Sequence, residues 1–118
     1  MKNFRELRVW QKAIDLVEEI YLRTQKFPRE ETYGLTSQIR RAVVSIASNI
    51  AEGHTREHLK EYLHHLSMAQ ASLAEVETQL EIAARLKYIP RAQLSALVDD
   101  ICALGKQLYA LRNALMRL

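Results

Sequence analysis

Apolar residues recur at spacings of three and four along nearly the whole chain, with polar residues filling the gaps. This is the pattern of amphipathic helices. The stretch GLTSQIRRAVVSIASNIAEG, from Gly34 to Gly53, organises the rest. Leu35, Ile39, Ala42, Val43, Ile46 and Ile50 share one side of its helical wheel. Gln38, Arg41, Ser45, Ser48, Asn49 and Glu52 share another, which is short-chained, hydroxyl-bearing and nearly uncharged. Small polar residues let a second backbone come close. The helix is therefore expected to be packed on most sides, with Gly53 as a left-handed stop.

The same periodicity predicts three further helices. The first runs from about Asn3 to Lys26. Leu7, Trp10, Ile14, Val17, Tyr21 and Thr24 form a heptad-like seam, and Val9, Ala13, Leu16 and Ile20 form a neighbouring apolar flank. Two apolar flanks imply more than one packing partner. Phe27-Pro28 breaks this helix, and the link to Gly34 has room for a short helical turn begun by Pro28. The third helix is predicted from an N-cap at Thr55 to about Tyr88. Leu59, Tyr62, Leu63, Leu66, Ala69, Leu73, Val76, Leu80 and Ala84 make its main stripe. Met68, Ala71, Ile82 and Leu86 lie nearly opposite, with no partner inside a single bundle. Pro90 ends the third helix and starts the fourth, whose seam is Leu94, Leu97, Val98, Ile101, Leu104, Leu108, Leu111 and Leu115. Gly105 within it costs about 1 kcal/mol of helix propensity and is read as allowing a neighbour close. Short links between four helices predict an all-α, up-down-up-down four-helix bundle, one domain over residues 1–118.

Composition agrees: 48% of the 118 residues are hydrophobic, with only three Gly and two Pro, so a real core forms and connections are few. The lone Cys102, beside Ile101 and Leu104, reads as a buried structural thiol. No stretch approaches ~20 apolar residues, and the charged N-terminus lacks a signal-peptide core, so a cytoplasmic protein without a membrane span is expected. The net charge is +3. Residues 1–60 hold eleven Lys/Arg against eight Asp/Glu, and residues 61–118 hold six against six. That asymmetry fits a mixed bundle surface, or a weakly basic end that meets phosphate; charge alone does not choose.

Candidate chemistry is sparse. His54, His58, His64 and His65 cluster at the start of the third helix, with His58 and His65 two turns apart. Neither HExxH nor paired Glu-x-x-His motifs occur, so no metal is expected. Ser45 and Ser48 lack a nucleophile elbow. A partly buried Arg41 needs an anion. Glu52 is about three turns away on the same helix, which leaves Glu75, Glu77 or a neighbouring subunit. No phosphate-cradling Gly loop exists, and Tyr33, Tyr88 and Tyr109 are the aromatic candidates for nucleic-acid contact. No cofactor and no enzymatic activity are expected.

FRELRVWQKAIDL, GLTSQIRRAVVSIASNIAEG and SLAEVETQLEIAARLKYI, together spanning about residues 4–89, resemble the four-helix bundle proteins encoded in intervening sequences of bacterial large-subunit (23S) rRNA genes. Ala71 stands where that family usually has Gly, and Val76 where Leu is common. The resemblance implies a ring-like homo-oligomer, a homopentamer, without established enzymatic activity. It extends to an accessory protein of diversity-generating retroelements, a bundle that is similar in binding nucleic acid beside a reverse transcriptase. Gln38, Arg41, Ser45, Asn49, Glu52, Glu75 and Glu77 would be the motif positions. The expectation is a non-enzymatic oligomeric scaffold that binds RNA or DNA through Arg5, Arg8 and Lys12, spaced to share one face of the first helix. The rival is a protein-interaction bundle with no nucleic-acid role, in which the motif residues only hold the assembly together.

Overall fold

The apolar periods become four α-helices: α1 (Arg8–Thr24), α2 (Leu35–His54), α3 (Leu59–Arg85) and α4 (Arg91–Met116), with 3-10 turns at Phe4–Glu6 and Arg29–Glu31. The computed structural model describes residues 3–118, and there is no strand among them. Each helix packs on its neighbour in the chain, and α4 closes back onto α1. The result is an up-down-up-down bundle of 46 × 24 × 20 Å. The α2–α3 contact is the most extensive, and the α1–α4 contact the least.

The predicted inner face of α2 is the centre of the core: Ile39, Val43, Ile46 and Ile50 are fully buried. On α3, the stripe from Tyr62 to Ala84 is buried as expected except at the partly buried Leu63, and Leu59 remains exposed. On the α4 seam Leu94, Leu97, Ile101, Leu104 and Leu108 are buried, and Val98, Leu111 and Leu115 are partly buried.

The first helix differs from expectation in two ways. Leu7 is extended (φ −74°, ψ 127°) and separates the Phe4–Glu6 turn from α1. Asn3 caps that turn through Arg5 N–H (2.7 Å), Gln11 Nε2 donates to Arg5 O (2.8 Å), and Phe4 meets Trp10 edge-on at 5.3 Å. The two apolar flanks also exchange roles. Val9, Ala13, Leu16 and Ile20 form the core side together with Thr24, while Ile14 and Tyr21 face outward.

The turns rest on side chains as well as on glycine. Pro28, extended at φ −57°, does begin a 3-10 turn. At its end, Glu31 caps α2: its carboxylate accepts Leu35 N–H (3.1 Å) and the Tyr88 hydroxyl (2.8 Å). A side chain at Gly34 would press on that carboxylate, its Cβ 2.8 Å from Oε1. These bonds hold the Glu31 carboxyl below the usual range, the Leu35 N–H first and the Tyr88 hydroxyl second.

Four further expectations are corrected. Gly53 lies inside α2 and has no left-handed conformation. Thr55 caps the end of α2 (Oγ1 to Glu52 O, 2.8 Å), and His58 precedes α3 instead. Cys102 is exposed, because it points away from the seam that Ile101 and Leu104 bury. Gly105 is not a forced approach, since an added Cβ would meet Leu73 at an ordinary 3.9 Å.

The third helix ends at Arg85, before the expected Tyr88. Tyr88 N–H bonds Ala83 O (2.9 Å) and Lys87 N–H bonds Ala84 O (3.0 Å), a Schellman closure with Lys87 at φ 69°. A lysine there carries a left-handed strain that glycine lacks. Lys87→Gly is expected to stabilise the bundle by up to about 1 kcal/mol, read as a melting temperature a few degrees higher.

Glu81 clasps this corner. Arg91 donates both Nη groups to it at 2.9 Å, and Arg85 Nε adds a bond of 3.0 Å. These partners, Arg91 foremost, lower its pKa to about 2. A depressed carboxyl stabilises the fold above its unfolded pKa, and the contribution fades as pH falls toward the folded value. The melting-temperature gap between the native chain and Glu81→Gln should therefore be constant near neutrality and narrow from about pH 4.5 towards about pH 2. Parallel melts across that range measure it.

Candidate functional site

The motif residues of α2 divide into a knitted set and an open set. Ser72 Oγ donates to Ser45 Oγ (3.0 Å). Asn49 Nδ2 donates to Ser45 O (2.9 Å) and to Ser45 Oγ (3.0 Å). With its amide nitrogen so used, Asn49 presents Oδ1 to His65 Nδ1 at 2.9 Å, so that ring nitrogen carries the hydrogen. Glu52 stands 4.0 Å from the same nitrogen. Gln38, Ser45 and Glu52 recur every seven residues on α2, as do His65, Ser72 and Gln79 on α3. In the antiparallel register, Ser45 pairs with Ser72 and Glu52 stands near His65, while Gln38 is exposed and makes no hydrogen bond with the buried Gln79. Gln79 is buried, and its Oε1 has no partner among the described residues.

Gln38, Arg41, Ser48 and Glu52 are exposed, so this chain does not by itself cover the outer face of α2. The expected ion pair between Arg41 and Glu75 or Glu77 is not formed. Glu75 accepts a long contact from Gln79 Nε2 (3.4 Å), while Glu77 lines a groove between α3 and α4. Val44 and Ser48 of α2 border a second groove, shared with Trp10, Ile14 and Val17 of α1.

Arg5, Arg8 and Lys12 do not share one helical face, because the break at Leu7 takes Arg5 off the helix. Arg5 lies over the Trp10 ring at 5.6 Å. Arg8 and Lys12 are exposed on α1, and Lys12 borders a groove with Asp15, Glu19 and Asp100. Of the four histidines, His54 meets Tyr62 edge-on at 5.8 Å, His65 bonds Asn49, and His58 and His64 are exposed. No cluster of three or more His, Cys, Asp or Glu that could hold a metal occurs among the described residues.

Sequence reasoning missed the partnership of Tyr21 with Arg40. The Arg40 guanidinium lies 4.5 Å over the Tyr21 ring, and its Nε donates to Thr24 Oγ1 at 2.9 Å. Nineteen residues and a turn separate the pair, and no periodicity links them. His65 was more accessible: it occupies the same seven-residue frame as Ser72 and Gln79, which sets it apart from His64.

Gly53 lets α2 close on α3 beside His65. A Cβ there would stand 2.8 Å from His65 Cβ and 3.0 Å from Tyr62 Cδ1. Both atoms are fixed to α3, so the helices would have to part. Gly53→Ala is expected to cost about 1–3 kcal/mol, seen as a lower midpoint in urea unfolding.

Comparison with known proteins gives a consistent picture. A solved protein of unknown function from the S23 ribosomal protein family of Bacteroides thetaiotaomicron superposes with a TM-score of 0.81 at 24% identity, over 89% of this chain and 95% of that one. At that identity the likeness concerns the fold. No curated protein matches the chain. The model of one family, described as 23S rRNA-intervening sequence protein, matches residues 5–110. By that match over most of its length, the chain belongs to the 23S rRNA-intervening sequence protein family.

Proposed function

We propose that this chain is a non-enzymatic building block whose copies assemble into a ring, five in number, that serves as a scaffold for RNA or DNA in the cytoplasm. The observation that carries the reading is the uncovered outer face of α1 and α2. Ile14 is 40% exposed and Val44 38%, in the groove they share with Trp10, Val17 and Ala51, and Tyr21, 40% exposed, lines the next groove with Val44. A second exposed apolar pair, Ile82 on α3 and Leu86 at its C-cap, lies away from that groove, with Ile82 lining the α3–α4 groove. Two different sticky faces favour a head-to-tail contact, and such contacts close into rings. The copy number five comes from the family resemblance.

The nucleic-acid part rests on cations without carboxylate partners. Arg5, Arg8, Arg56 and Lys60 make no ion pair among the described residues, and all belong to the end of the bundle where the N-terminal turn meets the α2–α3 connection. A ring repeats each of them, so weak phosphate contacts add by avidity. Arg8 and Lys12 extend this surface along α1. A reverse transcriptase is a fitting protein partner by the same resemblance. The second reading, a protein-interaction bundle with no nucleic-acid role, is favoured by Asp15, Glu19 and Asp100 beside Lys12, which oppose phosphate there.

Sedimentation at micromolar concentration should give a species several times the 13.7 kDa of one chain; a clean monomer overturns the assembly. In fluorescence-polarisation titrations, binding to RNA and DNA should fall steeply with salt and show little sequence preference. The triple replacement of Arg5, Arg8 and Lys12 by Glu should remove duplex binding while helicity and assembly size persist. No binding by the native protein at low salt leaves the protein-interaction reading.

A further inference from the structure

At the α1–α2 connection lies a cleft of about 430 Å³ whose lining differs from every other groove described above. It contains two arginines, Arg40 and Arg41, and no carboxylate. The groove beside Lys12 carries three acidic residues, and the α3–α4 groove carries two. Thr32, Thr36, Ser37, Tyr21 and Tyr33 line the same space.

Arg40 is held in place before any ligand arrives. Tyr21 supports one face of its guanidinium, Nε is spent on Thr24, and Nη2 reaches Tyr21 O at 3.3 Å. A guanidinium has five N–H donors, so three remain for an anion. Arg41, one residue on, is exposed and makes no ion pair among the described residues. Tyr33, at the rim, is 97% exposed. It lines the same cleft as the two arginines, and an exposed ring with two cations in one cleft suits base stacking combined with phosphate contact.

We infer that this cleft is a binding site for single-stranded nucleic acid, in which an unpaired base stacks on Tyr33 and the adjoining phosphate is taken by Arg40 and Arg41. The inference rests on the nucleic-acid reading above but places the strand-selective contacts away from Arg5, Arg8 and Lys12. Single strands are selected because only an unpaired base offers its face to a ring on a turn. The volume suits one nucleotide, and a duplex offers no free base face.

The test uses the full chain in polarisation titrations with a labelled twelve-nucleotide poly-U strand and a duplex of equal length, at low salt. Tyr33→Ala and Arg41→Ala should each weaken single-strand binding about tenfold. Tyr33→Phe should retain it, because the ring and not the hydroxyl stacks. Duplex binding should be nearly unchanged by Tyr33→Ala. Thermal melts and sedimentation of each variant must match the native protein for the comparison to count; for a side chain as exposed as Tyr33 they are expected to. If Tyr33→Ala binds the strand as tightly as the native chain, the cleft is not the site, although the scaffold reading survives. If the native chain binds neither strand nor duplex, both fall. If poly-glutamate competes as well as poly-U, the cleft is a general anion site and the base-stacking inference is overturned.

Discussion

The fold depends on how closely α2 can lie against α3. Gly53 allows this at one end, where a single methyl would collide with His65 and Tyr62. In the middle, Ser45 and Ser72 meet hydroxyl to hydroxyl, which larger side chains would prevent. Close approach buries Ile39, Val43, Ile46 and Ile50 on one side of α2. It also puts polar atoms where water is scarce, and each must then find a partner. The Ser45, Asn49 and His65 chain meets that demand at its centre, whereas Gln79 Oε1 and the Tyr62 hydroxyl stay without a partner among the described residues. The hydrogen bonds of that chain also fix register: sliding one helix by a turn would strand several hydrogen-bonding groups, a larger penalty than a shifted leucine contact carries. The remaining helices pack around this pair, α1 on one flank and α4 on the other.

Much of the fold was legible because periodicity reports amphipathicity directly. The inner face of α2, the stripe of α3 and the seam of α4 are where the spacing put them. The failures have a common physical origin. A helical wheel of α1 shows two apolar flanks but not which one meets the core, since α2 and α4 decide that. Trp10 and Ile14 read like a seam, yet the smaller Val9 and Ala13 let the helices come close. Gly53 reads as a helix stop because glycine tolerates the left-handed conformation that closes a helix; its actual role depends on residues nine and twelve positions later. Cys102 sat between two buried neighbours and still points outward, because adjacent residues on a helix diverge by about 100°.

The polar face of α2 was legible in composition but not in meaning. Its small, uncharged character does reflect a close neighbour, and α3 is that neighbour for Ser45 and Asn49. For Arg41 and Ser48 the chain supplies none, and Glu52 reaches only to 4.0 Å from His65. One helix therefore combines a satisfied polar edge with an unsatisfied one, and the unsatisfied edge continues into the exposed apolar residues of α1. Isolated exposed apolar side chains carry no message. A continuous strip does, since covering it would take it out of water.

Electrostatics makes the same point about locality. A net charge of +3 over a bundle 46 Å long says little about any one surface. Exposed charges are screened within about 10 Å at moderate salt, so each groove responds to its own lining. Lys12 contributes to the net charge but shares its groove with three carboxylates, which largely cancel it for an approaching phosphate. Arg40 and Arg41 line a cleft with no opposing charge, and Tyr21 and Thr24 hold Arg40 in place. Counting charges along the sequence favours the N-terminal residues, whereas grouping them by the space they share favours the α1–α2 turn. The second criterion is the physical one, because a phosphate meets the charges around it and not those listed before and after it in the chain.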